Sequence, residues 1–155
     1  MLLVCALGAA AAVSGADLHR LWDDRCQQCH GHAGEFARHF LTVVDGTVYG
    51  RRPERDLRQF LDNHYLAGGE VERVYAMLLA QARTGGEFQT KCSGCHGSAA
   101  QFARNSLELR EGVVYGRKSG RPVAEFLPRH MSLSTDETAF FLQLLERVTG
   151  EVQND

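Results

Sequence analysis

The chain has 155 residues, with 17 Lys and Arg against 19 Asp and Glu, for a net charge of −2. That balance excludes a nucleic-acid binder that works by bulk positive charge. Hydrophobic residues at 44% and charged residues at 23% fit a globular chain rather than a disordered one, and no apolar run reaches the roughly 18 residues of a membrane span.

Residues Leu2 to Val13 are almost wholly apolar or small, and the first charged side chain is Asp17. With Ser14-Gly15-Ala16 behind them, residues 1–16 read as a secretory signal peptide cut after Ala16, although no Lys or Arg stands near Met1. The mature chain would have 155 − 16 = 139 residues. Cys5 follows Val4, which is not the small residue that a lipoprotein signal places before its cysteine. No lipid anchor is therefore expected, nor any stable membrane insertion after cleavage.

The other four cysteines lie in two motifs, Cys26-Gln27-Gln28-Cys29-His30 and Cys92-Ser93-Gly94-Cys95-His96, 66 residues apart. The offset persists without a gap: Phe36-Ala37-Arg38 matches Phe102-Ala103-Arg104, Val48-Tyr49-Gly50-Arg51 matches Val114-Tyr115-Gly116-Arg117, and His64 matches His130. From 26 to 81 there are 20 identities in 56 positions. Two copies of one unit, 17–84 and 85–155, joined near Thr84-Gly85-Gly86, make a tandem duplication rather than a solenoid.

Each unit reads as helical. Leu18, Leu21, Trp22 and Cys29 share one helical face. On a helix the sulfurs of Cys26 and Cys29 point the same way, and His30 joins them. After the turn at Arg51-Arg52-Pro53, Leu57, Phe60, Leu61 and His64 form an i, i+3, i+4, i+7 stripe. A last helix follows Gly68-Gly69, with Val71, Val74, Tyr75, Leu78, Leu79 and Ala82 on its buried face. In the second copy Val123, Phe126, Leu127 and His130 repeat the stripe, and Phe140, Phe141, Leu144, Leu145 and Val148 repeat the buried face. Ser134 and Glu137 form a capping box and Gly150 is the expected stop. No sustained strand alternation is visible, so the expected fold is all-α, in two units too small to hold a large core without a staple.

The C-x-x-C-H pattern is the attachment signature of c-type haem. Two thiols one turn apart can each bond one vinyl group of a porphyrin, and the adjacent imidazole can bind the iron. A thioredoxin-like dithiol or half a zinc site could use the same residues. A redox pair normally sits in an α/β unit, and a zinc site does not account for two complete motifs, each in its own helical unit.

With these motifs the chain resembles the tandem dihaem c-type cytochromes of bacterial periplasms, each half similar to a small class I cytochrome c. The resemblance covers nearly the whole mature chain. It implies an all-α fold, two haem c groups attached outside the cytoplasm, and electron transfer between a redox donor and an acceptor protein. Cys26, Cys29, Cys92 and Cys95 would carry the haems, and His30 and His96 would be the proximal ligands. Small class I cytochromes usually place a Met on the distal side, and here the pattern departs. His64 and His130, each 34 residues after its proximal His, are the recurring candidates. Pro128 weakens the helical phase before His130, and Met131 competes with it; Met77 lies within the last helix of the first copy.

Two bis-His irons would be low in potential and closed to further ligands. The expected function is therefore electron carriage rather than catalysis, as a shuttle or as a subunit of a redox complex. A peroxidase-like dihaem enzyme or a haem-based ligand sensor would need an open or displaceable axial site. Arg38/Arg104, Arg51/Arg117 and Arg55/Arg121 recur and suit haem propionates, with Tyr49/Tyr115 as further donors and Arg51/Arg117 the favoured pair. Phe36/Phe102 and Phe60/Phe126 are expected to pack the haem pockets. His19, His32 and His39, which have no counterpart, are expected to be surface or secondary polar residues. Only Lys91 and Lys118 are lysines, so no lysine ring for docking is present.

Overall fold

The structure is a computed structural model and describes residues 17–51, 55–84 and 86–153. The expected signal peptide with Cys5, the Arg52-Pro53 portion of the expected turn, and Gly85 of the expected joint lie outside the described residues. The first unit runs α1 (Leu18–Arg25), α2 (Gln27–His30), α3 (Ala33–Phe40), β1 (Leu41–Val44), β2 (Thr47–Gly50), α4 (Leu57–Leu61) and α5 (Gly69–Arg83). The second repeats the order with α6 (Glu87–Lys91), α7 (Ser93–His96), α8 (Ala99–Ser106), β3 (Leu107–Arg110), β4 (Val113–Gly116), α9 (Val123–Phe126), a 3-10 turn at Leu127–Arg129, and α10 (Thr135–Gln153).

Helices dominate, but the all-α expectation is corrected by two antiparallel hairpins, β1–β2 and β3–β4. Their registers end at Val44↔Thr47 and Arg110↔Val113, leaving two-residue turns, Asp45-Gly46 and Glu111-Gly112. All four turn residues have positive φ, 47° and 80° in the first turn and 51° and 79° in the second. That is the type I′ geometry that matches strand twist, and glycine is favoured in it. After the hairpins the Gly50 N–H donates to the Arg55 carbonyl and the Gly116 N–H to the Arg121 carbonyl.

Helix starts follow local capping chemistry. Asp17 accepts from the N–H groups of His19 and Arg20, and Asp56 accepts from that of Arg58. Capping boxes at Ser98/Gln101 and Ser134/Glu137 start α8 and α10. Helix α10 does not stop at Gly150. It continues to Gln153 because its last turn is held from outside: Glu151 meets His19, and Gln153 accepts from the Leu109 N–H and donates to the Leu107 carbonyl. These contacts offset the roughly 1 kcal/mol that an interior glycine costs a helix.

Two cores form. Trp22, Ala37, Val48, Leu57, Leu61, Val74, Met77 and Leu78 are buried in the first, and Phe88, Ala103, Val114, Leu127, Phe141, Leu145 and Val148 in the second. The hairpin is tied to the last helix of each unit by different means. In the first unit the Val48 N–H donates to the Tyr75 hydroxyl at 3.1 Å. The matching position in the second unit is Phe141, which has no hydroxyl, and Gln153 takes over the role.

The units also meet each other through α1, which packs on both α5 and α10. His19 is only 5% exposed and hydrogen-bonds Glu151 at 2.7 Å, so of the two expected roles it has that of a secondary polar residue and not that of a surface one. Arg147 also pairs with Glu151. Arg104 leaves its own unit to pair with Asp17 and Asp23.

Candidate functional site

The motif helix is broken where it carries the cysteines. α1 ends at Arg25, Cys26 is the junction, and the single turn α2 holds Cys29 and His30. The His30 N–H still donates to the Cys26 carbonyl at 2.9 Å, so the motif keeps its helical spacing. Cys92 joins α6 to α7 in the same way, with His96 N–H on the Cys92 carbonyl at 3.0 Å. Gly31 and Gly97 end these turns with φ of 68° and 67°, and a Cβ at Gly97 would lie 2.7 Å from Gln101 Oε1. Gly31 is fixed further by Trp22, whose indole N–H donates to its carbonyl at 2.9 Å.

The four cysteines are free thiols, Cys26 and Cys92 half-buried and Cys29 and Cys95 exposed. Burial pushes the Cys26 and Cys92 thiols above their ordinary range, against the pull of Arg25 and Lys91. A reactive redox dithiol needs the opposite, a thiol held low.

His64 follows α4 in a turn, with its N–H on the Leu61 carbonyl. The expected stripe of this helix splits. Leu57 and Leu61 enter the core, whereas Phe60 (39% exposed) and half-buried His64 face outward together. α9 and its 3-10 turn repeat the split, with Val123 and Leu127 inside and Phe126 58% exposed.

This arrangement brings the repeated histidines together in pairs, with ring planes inclined at 62° in the first unit and 56° in the second. The ring centroids of His30 and His64 are 5.9 Å apart, and those of His96 and His130 are also 5.9 Å apart. An imidazole nitrogen sits about 2 Å from a metal ion, so two rings opposed across one ion have centroids about 6 Å apart. Among the described residues none of these four rings has a hydrogen-bond partner. The unrepeated histidines do: His19 with Glu151, His32 with Gln27 and His39 with Arg38. Burial, followed by the charge of the facing ring, lowers the pKa of His30 and of His96 below the ordinary imidazole value. The neutral imidazole, which this lowering favours, is the form that binds a metal.

Aromatic side chains frame each pair. Phe36 meets His30 edge-on at 4.9 Å and Trp22 backs Phe36 at 5.2 Å. Phe102 lies 4.3 Å from His96, with Phe88 behind it in the place of Trp22. Phe60 stacks on His64 at 4.5 Å and Phe126 on His130 at 4.7 Å, yet both rings remain exposed. Two imidazoles with an apolar surround and two nearby thiols fit the donor set of a thioether-linked haem. Among the described residues no group of three or more His, Cys, Asp or Glu stands close enough together to hold a metal ion by itself.

The remaining expected residues are dispersed. Met131 is 65% exposed, with φ of 68°. Arg51 turns its Nε onto the Leu41 carbonyl at 2.9 Å. Arg117 lines a cleft with Asp17 and Arg104, and no histidine of either pair lines that cleft. Tyr49 and Tyr115 are half-buried on β2 and β4, with the Arg110 guanidinium over the Tyr115 ring at 5.0 Å. Arg38 packs against Gly86 and His39, and Arg104 belongs to the joint.

Comparison of the chain with protein-family models, with curated proteins and with solved structures gives no match.

Proposed function

We propose that the chain is a periplasmic electron carrier of the dihaem c-type cytochrome kind, with one haem c in each unit. The observation that carries this reading is the duplicated imidazole pair, 5.9 Å between ring centroids in both units, beside a C-x-x-C-H turn. Cys26 and Cys29, and Cys92 and Cys95, would hold the two groups by thioether bonds. His30 and His96 would be the proximal ligands and His64 and His130 the distal ones. A haem iron with two imidazole ligands exchanges an electron without opening a coordination position.

The chain's own residues supply the rest. Trp22 and Phe36, and Phe88 with Phe102, back the proximal rings and limit their rotation. Phe60 and Phe126 lie against the distal rings, where a bound porphyrin would cover their exposed faces and exclude water. Two nitrogen ligands on each iron leave no site for a substrate, which makes a redox donor and a redox acceptor protein the partners.

The test is a haem count by mass together with optical spectra, on protein from a strain that matures c-type cytochromes. Two covalent haems per chain and low-spin bands in both oxidation states, unshifted by carbon monoxide, are expected. Replacement of Cys26 and Cys29 by Ala should leave one covalent haem. Colourless protein would overturn the reading, and a high-spin component would point instead to an enzyme or a ligand sensor.

A further inference from the structure

We propose that the cleft at the junction of the two units binds a small multivalent oxyanion, a polycarboxylate or a phosphate. The cleft has a volume of about 680 Å³, within the roughly 300–1,000 Å³ of small-molecule sites. Both units build it. α1 and the N-terminal half of α5 bring Arg20, Arg25 and Arg73, while α8 and the segment after β4 bring Arg104 and Arg117. Five guanidinium groups stand against three lining carboxylates, those of Asp17, Asp24 and Glu70, and a fourth, Asp23, that reaches Arg104 from outside the lining.

Among the described residues two of the five guanidinium groups are paired and three are not. Arg25 pairs with Glu70 at 3.0 Å, and Arg104 pairs with Asp17 and Asp23. Arg20, Arg73 and Arg117 have no carboxylate partner among the described residues. The Nε of Arg73 is buried and lacks a hydrogen-bond partner among the described residues. The Arg73 side chain is half-buried, and an anion against the outer part of its guanidinium offsets the cost of leaving that charge without a partner. Guanidinium groups match carboxylate and phosphate oxygens through parallel N–H pairs. The three unpaired ones come from α1, α5 and the segment after β4, which suits a ligand with more than one acidic group. Leu21 and Val152 are the apolar residues of the lining, too few to hold an uncharged hydrophobic ligand. Neither imidazole pair lines the cleft, so the inference stands apart from the haem reading.

Calorimetric titration of citrate and of inorganic phosphate into the purified mature protein at low ionic strength tests this. Saturable binding of at least one is expected. It should weaken about tenfold or more in Arg73→Gln and hold in Arg129→Gln, an exposed position outside the cleft. Arg20→Gln, on the exposed side of α1, gives the same reading should Arg73→Gln fail to fold. Because both units contact the ligand, saturation should also raise Tm. Absence of saturable binding by both anions, or equal affinity in the wild type and the cleft variants, overturns the proposal.

Discussion

Arg104 grips Asp17 with two hydrogen bonds, from Nε at 2.6 Å and from Nη2 at 3.0 Å, across 87 residues of chain. Its Nη1 adds a third bond to Asp23 at 3.1 Å. The same Asp17 carboxylate caps α1, so one guanidinium steadies both a helix start and the contact between units. Arg104→Ala should cost about 1–3 kcal/mol, because it strands two carboxylates, one of them nearly buried. Arg38→Ala, at the matching position of the first unit, should cost about 0.5 kcal/mol or less, as its guanidinium is exposed. Equal losses in urea unfolding would contradict this asymmetry.

The same joint makes the protein sensitive to acid. Burial pushes the Glu151 carboxyl up, but the His19 hydrogen bond and the Arg147 charge outweigh it, and the net pKa lies below the usual 4.5. Asp17 behaves alike: burial raises it, and the hydrogen bonds from Arg104 and the Arg20 N–H bring it below the usual 3.8. Carboxyls lowered by folding contribute stability that is complete above their unfolded values and is lost as the pH falls through their folded values. Unfolding free energy should therefore hold from neutrality to about pH 5 and decline below it. In Glu151→Gln with Asp17→Asn the decline should be shallower. Urea midpoints measured across this range check it, and an identical acid slope in the variant would refute the assignment.

Gly46 and Gly112 occupy the left-handed second positions of the hairpin turns, and a Cβ there would meet nothing closer than Arg83 Nη2 at 3.7 Å. The cost of Gly46→Ala or Gly112→Ala is thus one of backbone strain, about 1–2 kcal/mol. Glu111→Asn, by contrast, should stabilise by up to about 1 kcal/mol, since Asn tolerates the φ of 51° better than Glu does. Thermal unfolding of the three variants orders them. A neutral Gly46→Ala would mean that the turn has another geometry.

His64→Met bears on the proposed electron carriage. A thioether in place of an imidazole raises an iron's reduction potential, by on the order of 100 mV within the span that axial ligands command. One of the two titration steps should move and the other remain. A redox titration superimposable on that of the wild type would exclude His64 as a ligand.

The meeting of His30 with His64 was legible because both recur at one spacing in both copies, which weakens the reading of either as an isolated core histidine. The hairpins were less legible. Four-residue strands give too short a run for alternation to stand out. The readable signal was instead the Asp45-Gly46 dipeptide between Thr42-Val43-Val44 and Thr47-Val48, with Glu111-Gly112 as its echo. His19 could not be placed from sequence: its partner Glu151 lies 132 residues away, and neither belongs to the repeat. Arg104 shows the limit of reasoning from recurrence. It is identical to Arg38 by descent, but the side chain has been recruited to a contact that exists only once in the molecule.

Helix α1 packs on the closing helices of both halves, α5 and α10. The second half lacks an equivalent of its full length, since α6 has five residues where α1 has eight. Either half on its own would thus present to water a helix flank that the other half now covers.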